Sequence, residues 1–210
     1  MAVDFKLYLI TDRRATKTPL TETVRLALKG GVRAVQLREK DLPIRELLGL
    51  ARELRGITRE FKARLFVNDR VDVAVAVDAD GVHLGHQSMP VDAVRKIVGP
   101  RMLIGVSTHT VQEAQEAEQG GADFITFGPV FMTPSKARYG APVGPEALKE
   151  LKKRIRIPVF GLGGITRKNM HEVMQAGADG IAMISAIIAA EHVQKASEDI
   201  VNSLHVRGHQ

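Results

Sequence analysis

Two cations and an amide follow one short apolar run in the first quarter of the chain, where the sequence is VQLREK. The period of two along a β-strand would place Gln36, Arg38 and Lys40 on one face and Glu39 on the other. Arginine can grip a phosphate through two parallel N–H donors, and lysine supplies a point charge. The segment therefore predicts an anion site, although the same cations could instead form an ion-pair network with Glu39 or Asp12.

An asparagine and an aspartate follow the next apolar run, in the sequence LFVNDR. A carboxylate at a strand end beside an anion site is a plausible Mg²⁺ ligand, because this ion usually takes one or two carboxylates and completes its shell with water and phosphate oxygens. Asp69 is the candidate ligand. Asn68 and Asp69 are equally suited to cap a helix predicted over 71–76, so both roles stay open here.

A serine and a histidine follow a later run, in the sequence LIGVSTHT. Ser107 would present its hydroxyl at the strand end, and Thr110 is suited to cap the following helix. No nucleophile elbow surrounds Ser107, so a catalytic triad is not predicted. His109 is the one histidine with a suggested functional position. The others show no metal-ligand spacing and are expected to be packing or surface groups: His83, His86, His171, His192, His205 and His209.

Hydroxyl groups and a lysine also occur in a long loop at 128–140, which contains Thr133, Ser135 and Lys136. These groups can donate to a phosphate or diphosphate, and the loop is long enough to close over a ligand. An ordinary surface loop is the alternative from this segment alone. Thr133, Ser135 and Lys136 are the candidate anion ligands of this loop.

A glycine pair, Gly163-Gly164, and a serine, Ser185, follow the last two apolar runs. In (β/α)₈ barrels a phosphate often lies between the loops after strands seven and eight, held by backbone amides. Glycine permits that close approach of the backbone, and the serine adds a hydroxyl. These residues predict a second anion site.

The elements that must position these groups alternate between strand and helix. Four junctions repeat, each with a helix-like stretch, a small-residue turn and an apolar strand, at 30–37, 77–84, 120–127 and 176–183. The glycines suit a left-handed helix end, and the following aspartate or arginine can tie down the turn. Further apolar runs occur at 6–11, 64–68, 103–107 and 158–162.

Eight βα units in 210 residues average about 26 residues each, which fits an α/β fold of the (β/α)₈ TIM barrel type. A doubly wound open sheet is the structural alternative. No Pro- or Ser-rich linker divides the chain, so we expect one domain over 1–210, with a frayed tail at 207–210. In such a barrel the carboxyl ends of the strands carry the active site.

Composition narrows the function classes. The chain has no cysteine, which excludes disulfides and thiolate chemistry. A formal charge of +6 suits polyanionic ligands, but 4% aromatic residues and no tryptophan disfavour single-stranded nucleic-acid binding. We therefore expect small phosphate and diphosphate substrates as partners, with no nucleic acid and no membrane. The absence of a signal segment predicts a cytoplasmic protein, and homo-oligomerisation is left open.

The assembled motifs resemble the thiamine phosphate synthase family, also called thiamine-phosphate pyrophosphorylase. The resemblance extends over nearly the whole chain. Its motifs are 8–12, 36–40, 68–70, 79–85, 105–107 and 127–131, then Thr133, Ser135 and Lys136, and the glycine pair.

The resemblance implies a reaction in which 4-amino-2-methyl-5-hydroxymethylpyrimidine diphosphate is joined to 4-methyl-5-hydroxyethylthiazole phosphate. Diphosphate is released with the help of Mg²⁺, after the methylene–oxygen bond breaks to give a stabilised cation. Arg38, Lys40, Ser107 and Lys136 are then the catalytic candidates, and Asp69 is the metal ligand. The pyrimidine diphosphate would be held by Gln36, Leu37, Arg38, Glu39, Lys40, Asn68, Ser107 and Lys136, and the thiazole phosphate by Thr133, Pro134, Ser135, Gly164, Ile184 and Ser185.

One position departs from the family pattern. The family usually has a second acidic metal ligand shortly after Gly85, where this chain has Ser88. The loss of one negative charge predicts weaker Mg²⁺ binding. It also raises an alternative, the related thiazole tautomerase, which shares the barrel but only moves protons. For that activity His109 would be the acid or base, because imidazole titrates near neutrality.

Overall fold

The computed structural model describes residues 2–133 and 141–205. Eight parallel strands follow one another in chain order and form a closed barrel, β1-β2-β3-β4-β5-β6-β7-β8. The strands are β1 Leu7–Ile10, β2 Ala34–Leu37, β3 Arg64–Asn68, β4 Gly81–Leu84, β5 Leu103–Thr108, β6 Phe124–Phe127, β7 Val159–Leu162 and β8 Gly180–Met183.

Helices follow the strands in the described part of the chain. They are α1 Leu20–Lys29, α2 Ile44–Glu60, α3 Val71–Ala76, α4 Val91–Val98, α5 Val111–Gln119, α6 Gly144–Lys152, α7 Met170–Gln175, α8 Ser185–Ile188 and α9 Val193–His205. None of the helices in 2–133 and 141–205 is both long and apolar enough to cross a bilayer.

The predicted (β/α)₈ TIM barrel is confirmed, and the open doubly wound sheet is not formed. Every predicted apolar run contains a strand, although some of the strand ends differ from those predicted. Most strands are buried along their whole length, as the apolar runs require of a parallel sheet covered on both faces.

The helix-to-strand junctions are built as the repeats predict. Asp80, Asp123 and Asp179 each accept a hydrogen bond of 2.7 or 2.8 Å from a backbone N–H at the start of the preceding strand. Each carboxylate is also held by a cation at 2.6 or 2.7 Å. In the same order, the amide donors belong to Leu65, Ile104 and Val159, and the cations to Arg55, Arg95 and Lys152.

The described chain divides into two compact units, and each has its own interior. The first unit contains the residues up to Lys6 together with His83–Ala182. Its interior holds the fully buried rings of Phe124 and Phe160, whose centroids lie 5.5 Å apart in an edge arrangement. Glycine faces these rings, because a Cβ at Gly180 would lie 2.4 Å from Phe160.

The second unit contains Leu7–Val82 and the residues from Met183 onward. Tyr8 and Phe66 are fully buried here and pack edge to face, with ring centroids 5.2 Å apart. The strand register places Gln36 beside Phe66, so the amide side chain lies on the same interior face. A single domain over 1–210 stays a prediction, and the predicted tail at 207–210 lies outside the described residues.

Candidate active site

The segment after β2 separates its acidic residue from its two cations. Glu39 is 5% exposed and turns toward the loop after β1. Its carboxylate accepts a hydrogen bond of 2.6 Å from the Thr11 hydroxyl, and further bonds of 3.2 Å from the backbone N–H of Arg13 and 3.3 Å from the Arg13 guanidinium. The side chain of Glu39 thus joins two loops of the protein, and its contact with a substrate stays a prediction.

Arg38 and Lys40 have no carboxylate partner among residues 2–133 and 141–205. The predicted alternative, an ion-pair network of these cations with Glu39 or Asp12, is therefore not formed there. Arg38 is half-buried, and its backbone N–H donates to the Thr11 hydroxyl oxygen at 2.9 Å. Thr11 thus links Glu39 to the backbone of Arg38, which fixes the position from which the guanidinium extends.

Arg13, in contrast to Arg38 and Lys40, is paired with a carboxylate. Arg13 donates to both carboxylate oxygens of Asp41, at 2.6 and 2.7 Å. These hydrogen bonds hold the pKa of Asp41 well below its usual range. The acidic groups of this region are consequently engaged by Arg13 and Arg14, which leaves the charges of Arg38 and Lys40 available to a ligand.

Gln36 is 1% exposed, and a buried tyrosine orients its amide. The amide nitrogen of Gln36 donates to the Tyr8 hydroxyl oxygen at 3.1 Å. Burial raises the pKa of Tyr8 well above its usual value, so the phenol stays neutral. With the nitrogen engaged, the carbonyl oxygen of Gln36 is the part of the amide left to accept a hydrogen bond from a ligand.

Asn68 and Asp69 lie at the carboxyl end of β3 in an unusual backbone conformation. Asp69 has a φ of +67°, in the left-handed region that few residues other than glycine adopt. Aspartate adopts this region more readily than most residues, and backbone in sparsely populated regions clusters at functional sites. The capping alternative is not realised, because Arg70 is the N-cap of α3 and no side chain caps that helix.

Asp69 is the candidate metal ligand at this strand end. Asp69 is exposed, and the part of the chain that the structure describes contains no group of three or more His, Cys, Asp or Glu arranged to hold a metal. A single carboxylate fits Mg²⁺, which is often bound by one carboxylate together with phosphate oxygens of a substrate. In the other unit, the Ser88 hydroxyl oxygen accepts a hydrogen bond of 2.6 Å from the Gly85 N–H and closes a tight turn.

Ser107 lies near the end of β5 in a polar cluster that was not predicted from the sequence. Its hydroxyl oxygen is 3.0 Å from the Nε2 atom of His83 and 3.4 Å from the Thr126 hydroxyl. His83 was expected to be a packing or surface group, and at 1% exposure it is buried. The signal available in the sequence was its position between two apolar residues in the middle of a strand.

His109 directly precedes Thr110, the N-cap residue of α5. Its backbone N–H donates to the Glu113 carboxylate at 2.6 Å, and its Nδ1 atom lies 3.4 Å from the same oxygen. Thr110 caps the helix by accepting from the Glu113 N–H at 3.1 Å, as predicted. The backbone N–H and the side-chain carboxylate of Glu113 thus both take part in capping α5, and the carboxylate also contacts the imidazole.

The glycine pair after β7 is approached by the protein's own backbone. Gly164 has a φ of +64°, and a Cβ there would lie 2.6 Å from the Met132 carbonyl oxygen. Gly163 accepts a hydrogen bond of 3.0 Å from the Phe131 N–H. The pair therefore lets the loop after β6 pack on the loop after β7. This close approach is to a protein segment, whereas the glycine pair in the sequence predicted it for a phosphate.

The remaining predicted thiazole-phosphate ligands are only partly described. Thr133 is half-buried, and Pro134, Ser135 and Lys136 lie outside the described residues. Ser185 is exposed at the start of α8, and Ile184 precedes it with a φ of −118° and a ψ of −92°. Within the described chain, the Ser185 hydroxyl makes no hydrogen bond, so it is available to a ligand.

Sequence reasoning missed three residues that hold the predicted ligands in place. Tyr8 orients Gln36, Thr11 fixes the backbone of Arg38, and His83 contacts Ser107. In each pair the supporting residue and the residue that it supports belong to different strands, or to the segments directly after them. Their alternation with apolar residues was visible in the sequence, but their partners were not.

Comparison with known proteins identifies relatives that share most of the chain. A relative from Geobacter sulfurreducens is 58% identical over 188 residues, covers 89% of this chain and 88% of its own length, and is named as a proposed thiamine-phosphate synthase. The thiamine-phosphate synthase of Pyrococcus furiosus is 48% identical over 196 residues, with 93% of this chain and 92% of the relative covered.

A solved structure supports the same relationship. The thiamine phosphate pyrophosphorylase from Pyrococcus furiosus superposes with a TM-score of 0.86 at 47% identity, covering 94% of each chain. The sequence profile of thiamine monophosphate synthase matches residues 7–187. The chain therefore belongs to the thiamine monophosphate synthase family.

Proposed function

We propose that this chain is a thiamine-phosphate synthase, a transferase that joins a hydroxymethylpyrimidine diphosphate to a thiazole phosphate and releases diphosphate. The activity rests on family membership, on the names of relatives that share most of the chain, and on the superposed structure. The role of each residue in the reaction is inferred from its contacts.

The observation that carries this assignment of roles is the pair of cations after β2. Arg38 and Lys40 flank a glutamate, yet that glutamate is engaged by Thr11 and Arg13. A half-buried guanidinium without a carboxylate partner in the described chain is costly unless a ligand supplies the negative charge. A diphosphate supplies that charge, and arginine can bind it bidentately.

Gln36 would recognise the pyrimidine ring. Its carbonyl oxygen is the free acceptor of the amide, because the nitrogen donates to Tyr8. The 4-amino group of the pyrimidine is a donor that matches this acceptor. A buried acceptor that meets no donor is penalised, so this contact would favour an aminopyrimidine over a ring that lacks the amino group.

The mechanism that fits these groups is dissociative. The bond between the methylene carbon and the ester oxygen of the diphosphate breaks, and its electron pair leaves with diphosphate. The thiazole nitrogen then donates its lone pair to the pyrimidine methylene cation and forms the new C–N bond. Negative charge grows on the diphosphate during the first step, so attraction to Arg38 and Lys40 strengthens in the transition state. Lys136, outside the described residues, is predicted to act in the same way.

Asp69 is the proposed Mg²⁺ ligand, with diphosphate oxygens completing the site. When bound, the ion would neutralise part of the charge on the diphosphate. Asn68, adjacent to Asp69, is half-buried and is proposed to bind the same substrate. Ser107 is proposed to donate its hydroxyl hydrogen to the diphosphate.

The thiazole phosphate is proposed to bind the residues after the last two strands. Backbone N–H groups of Gly164, Ile184 and Ser185, with the Ser185 hydroxyl, are donors suited to phosphate oxygens. Thr133, Pro134 and Ser135 complete the proposed site from the loop after β6. A cytoplasmic location and a homo-oligomeric state remain predictions.

The test is an assay of diphosphate release from the two substrates, run with and without Mg²⁺. Arg38→Met and Lys40→Met should each lower kcat/KM by about 10- to 100-fold, as the loss of a charge-assisted contact implies. Lys29→Met removes the same charge from an exposed position at the end of α1 and should leave the rate unchanged. Equal activity in all three variants would refute the assignment of the cations.

The thiazole tautomerase is not favoured. The family, the named relatives and the superposed structure all indicate the synthase. The same assay separates the two activities. Turnover of the thiazole tautomer without any joined product would reverse the conclusion.

A further inference from the structure

The polar cluster behind Ser107 is set among aromatic rings. The imidazole of His83 packs 5.8 Å from the ring of Phe124, centroid to centroid. A Cβ at Gly105 would lie 2.6 Å from the Nδ1 atom of His83, so the missing side chain at 105 makes room for the imidazole. The ring is thereby held with its Nε2 atom toward the two hydroxyl groups of Ser107 and Thr126.

The hydrogen bonds of Ser107 can be counted. A serine hydroxyl has one hydrogen to donate and two lone pairs that accept. The Thr126 hydroxyl donates to the Ser107 oxygen at 3.4 Å and uses one lone pair. The contact of 3.0 Å with His83 uses either the second lone pair or the only hydrogen, depending on which imidazole nitrogen carries the proton.

The two cases have opposite consequences for a ligand. If Nε2 carries the proton, it donates to Ser107, both lone pairs are occupied, and the hydroxyl hydrogen must point elsewhere. If Nδ1 carries the proton, Ser107 donates to Nε2 and presents only a lone pair. A diphosphate oxygen accepts hydrogen bonds and cannot donate them. In the second case Ser107 could donate to it only if Thr126 supplied the hydrogen for Nε2 across the longer contact of 3.5 Å, whereas the first case leaves the Ser107 hydrogen for the ligand.

We propose that His83 is a positioning residue that holds its proton on Nε2 and thereby makes Ser107 an obligate donor to the diphosphate of the pyrimidine substrate. The inference rests on the proposed function for the identity of that ligand. His83 is itself buried behind Ser107 and is not assigned a contact with the substrate.

Nitrogen-15 NMR of the intact wild-type protein tests the tautomer directly. The His83 signals, assigned with the His83→Gln variant, should show the proton on Nε2 in the protein bound to inorganic diphosphate and Mg²⁺. A proton on Nδ1 alone would overturn the proposal. This measurement does not depend on any variant retaining activity.

A double-mutant cycle tests the route through Ser107. His83→Leu should raise the Kd for inorganic diphosphate and the KM for the pyrimidine diphosphate by about tenfold, with a smaller change in kcat. In a Ser107→Ala background the same substitution should change neither value by more than about twofold. An equal effect in both backgrounds would show that His83 acts on folding or packing and would overturn the proposal.

Two further variants guard against a misfolded His83→Leu protein. His83→Gln retains an N–H donor near the position of Nε2 and should restore most of the lost affinity. Thr126→Val removes the second donor at nearly constant volume and should raise the Kd by about two- to threefold. No rescue by glutamine in a folded protein would contradict the proposed donor. A wild-type protein that forms no thiamine phosphate would refute the proposed function alone, because the tautomer and diphosphate binding are measured without turnover.

Discussion

Glu39→Gln separates a structural role of this residue from a substrate-binding one. The side chain is 3% exposed, and its carboxylate accepts hydrogen bonds from the Thr11 hydroxyl and from the backbone N–H and guanidinium of Arg13. Glutamine keeps the size and one acceptor for Thr11, but it places an N–H₂ donor against the donors of Arg13. One charge-assisted interaction is lost, which costs about 1.5 to 3 kcal/mol.

The larger cost of leaving the Arg13 charge without a partner does not apply. Arg13 keeps its two hydrogen bonds to Asp41, so its charge stays paired. We therefore expect the free energy of unfolding to fall by about 2 kcal/mol. For a chain of this size that corresponds to a Tm lower by about 4 to 8 °C.

Urea unfolding and steady-state kinetics of the variant provide the assay. The KM for the pyrimidine diphosphate should rise severalfold, because Thr11 then fixes the Arg38 backbone less firmly. Glu53→Gln makes the same charge change at an exposed position of α2 and serves as the control. A large rise in KM with unchanged stability would refute the reasoning, since it would indicate that Glu39 contacts the substrate.

Three further substitutions test other parts of the structure. Tyr8→Phe should raise the KM for the pyrimidine diphosphate by about two- to tenfold, because the Gln36 amide loses the acceptor that orients it; an unchanged KM would contradict that role. Ser88→Asp should lower the Mg²⁺ concentration that gives half the maximal rate, and an unchanged requirement would show that position 88 does not face the metal. Asp123→Asn should lower the free energy of unfolding by about 1 to 3 kcal/mol in urea titrations, with little change in KM. The Asp123 carboxylate binds a strand amide and an arginine at the start of β5, away from the strand end that carries Ser107. A selective loss of substrate binding would argue against this structural role.

The amino-acid sequence determined the architecture and the faces of the strands. Apolar runs with small-residue junctions specify buried parallel strands, since such runs are stable only when covered on both faces. The period of two likewise placed Arg38 and Lys40 opposite Glu39, and in the structure Glu39 is engaged by Thr11 and Arg13 while the two cations are not paired with it. These features depend on residues close together in the chain, whose spacing can be read directly.

Tertiary structure alone decided which partner each polar group found. Glu39 meets Thr11 across 28 residues, Gln36 meets Tyr8 across 28, and His83 meets Ser107 across 24. These pairs form because side-by-side strands take a particular register, as Ser107 beside Thr126 shows. A shift of that register would bring different side chains together, and no local pattern reports it. The sequence therefore identified the groups able to bind phosphate, and the packing of strands determined which of them are held by the protein and which remain free for a ligand.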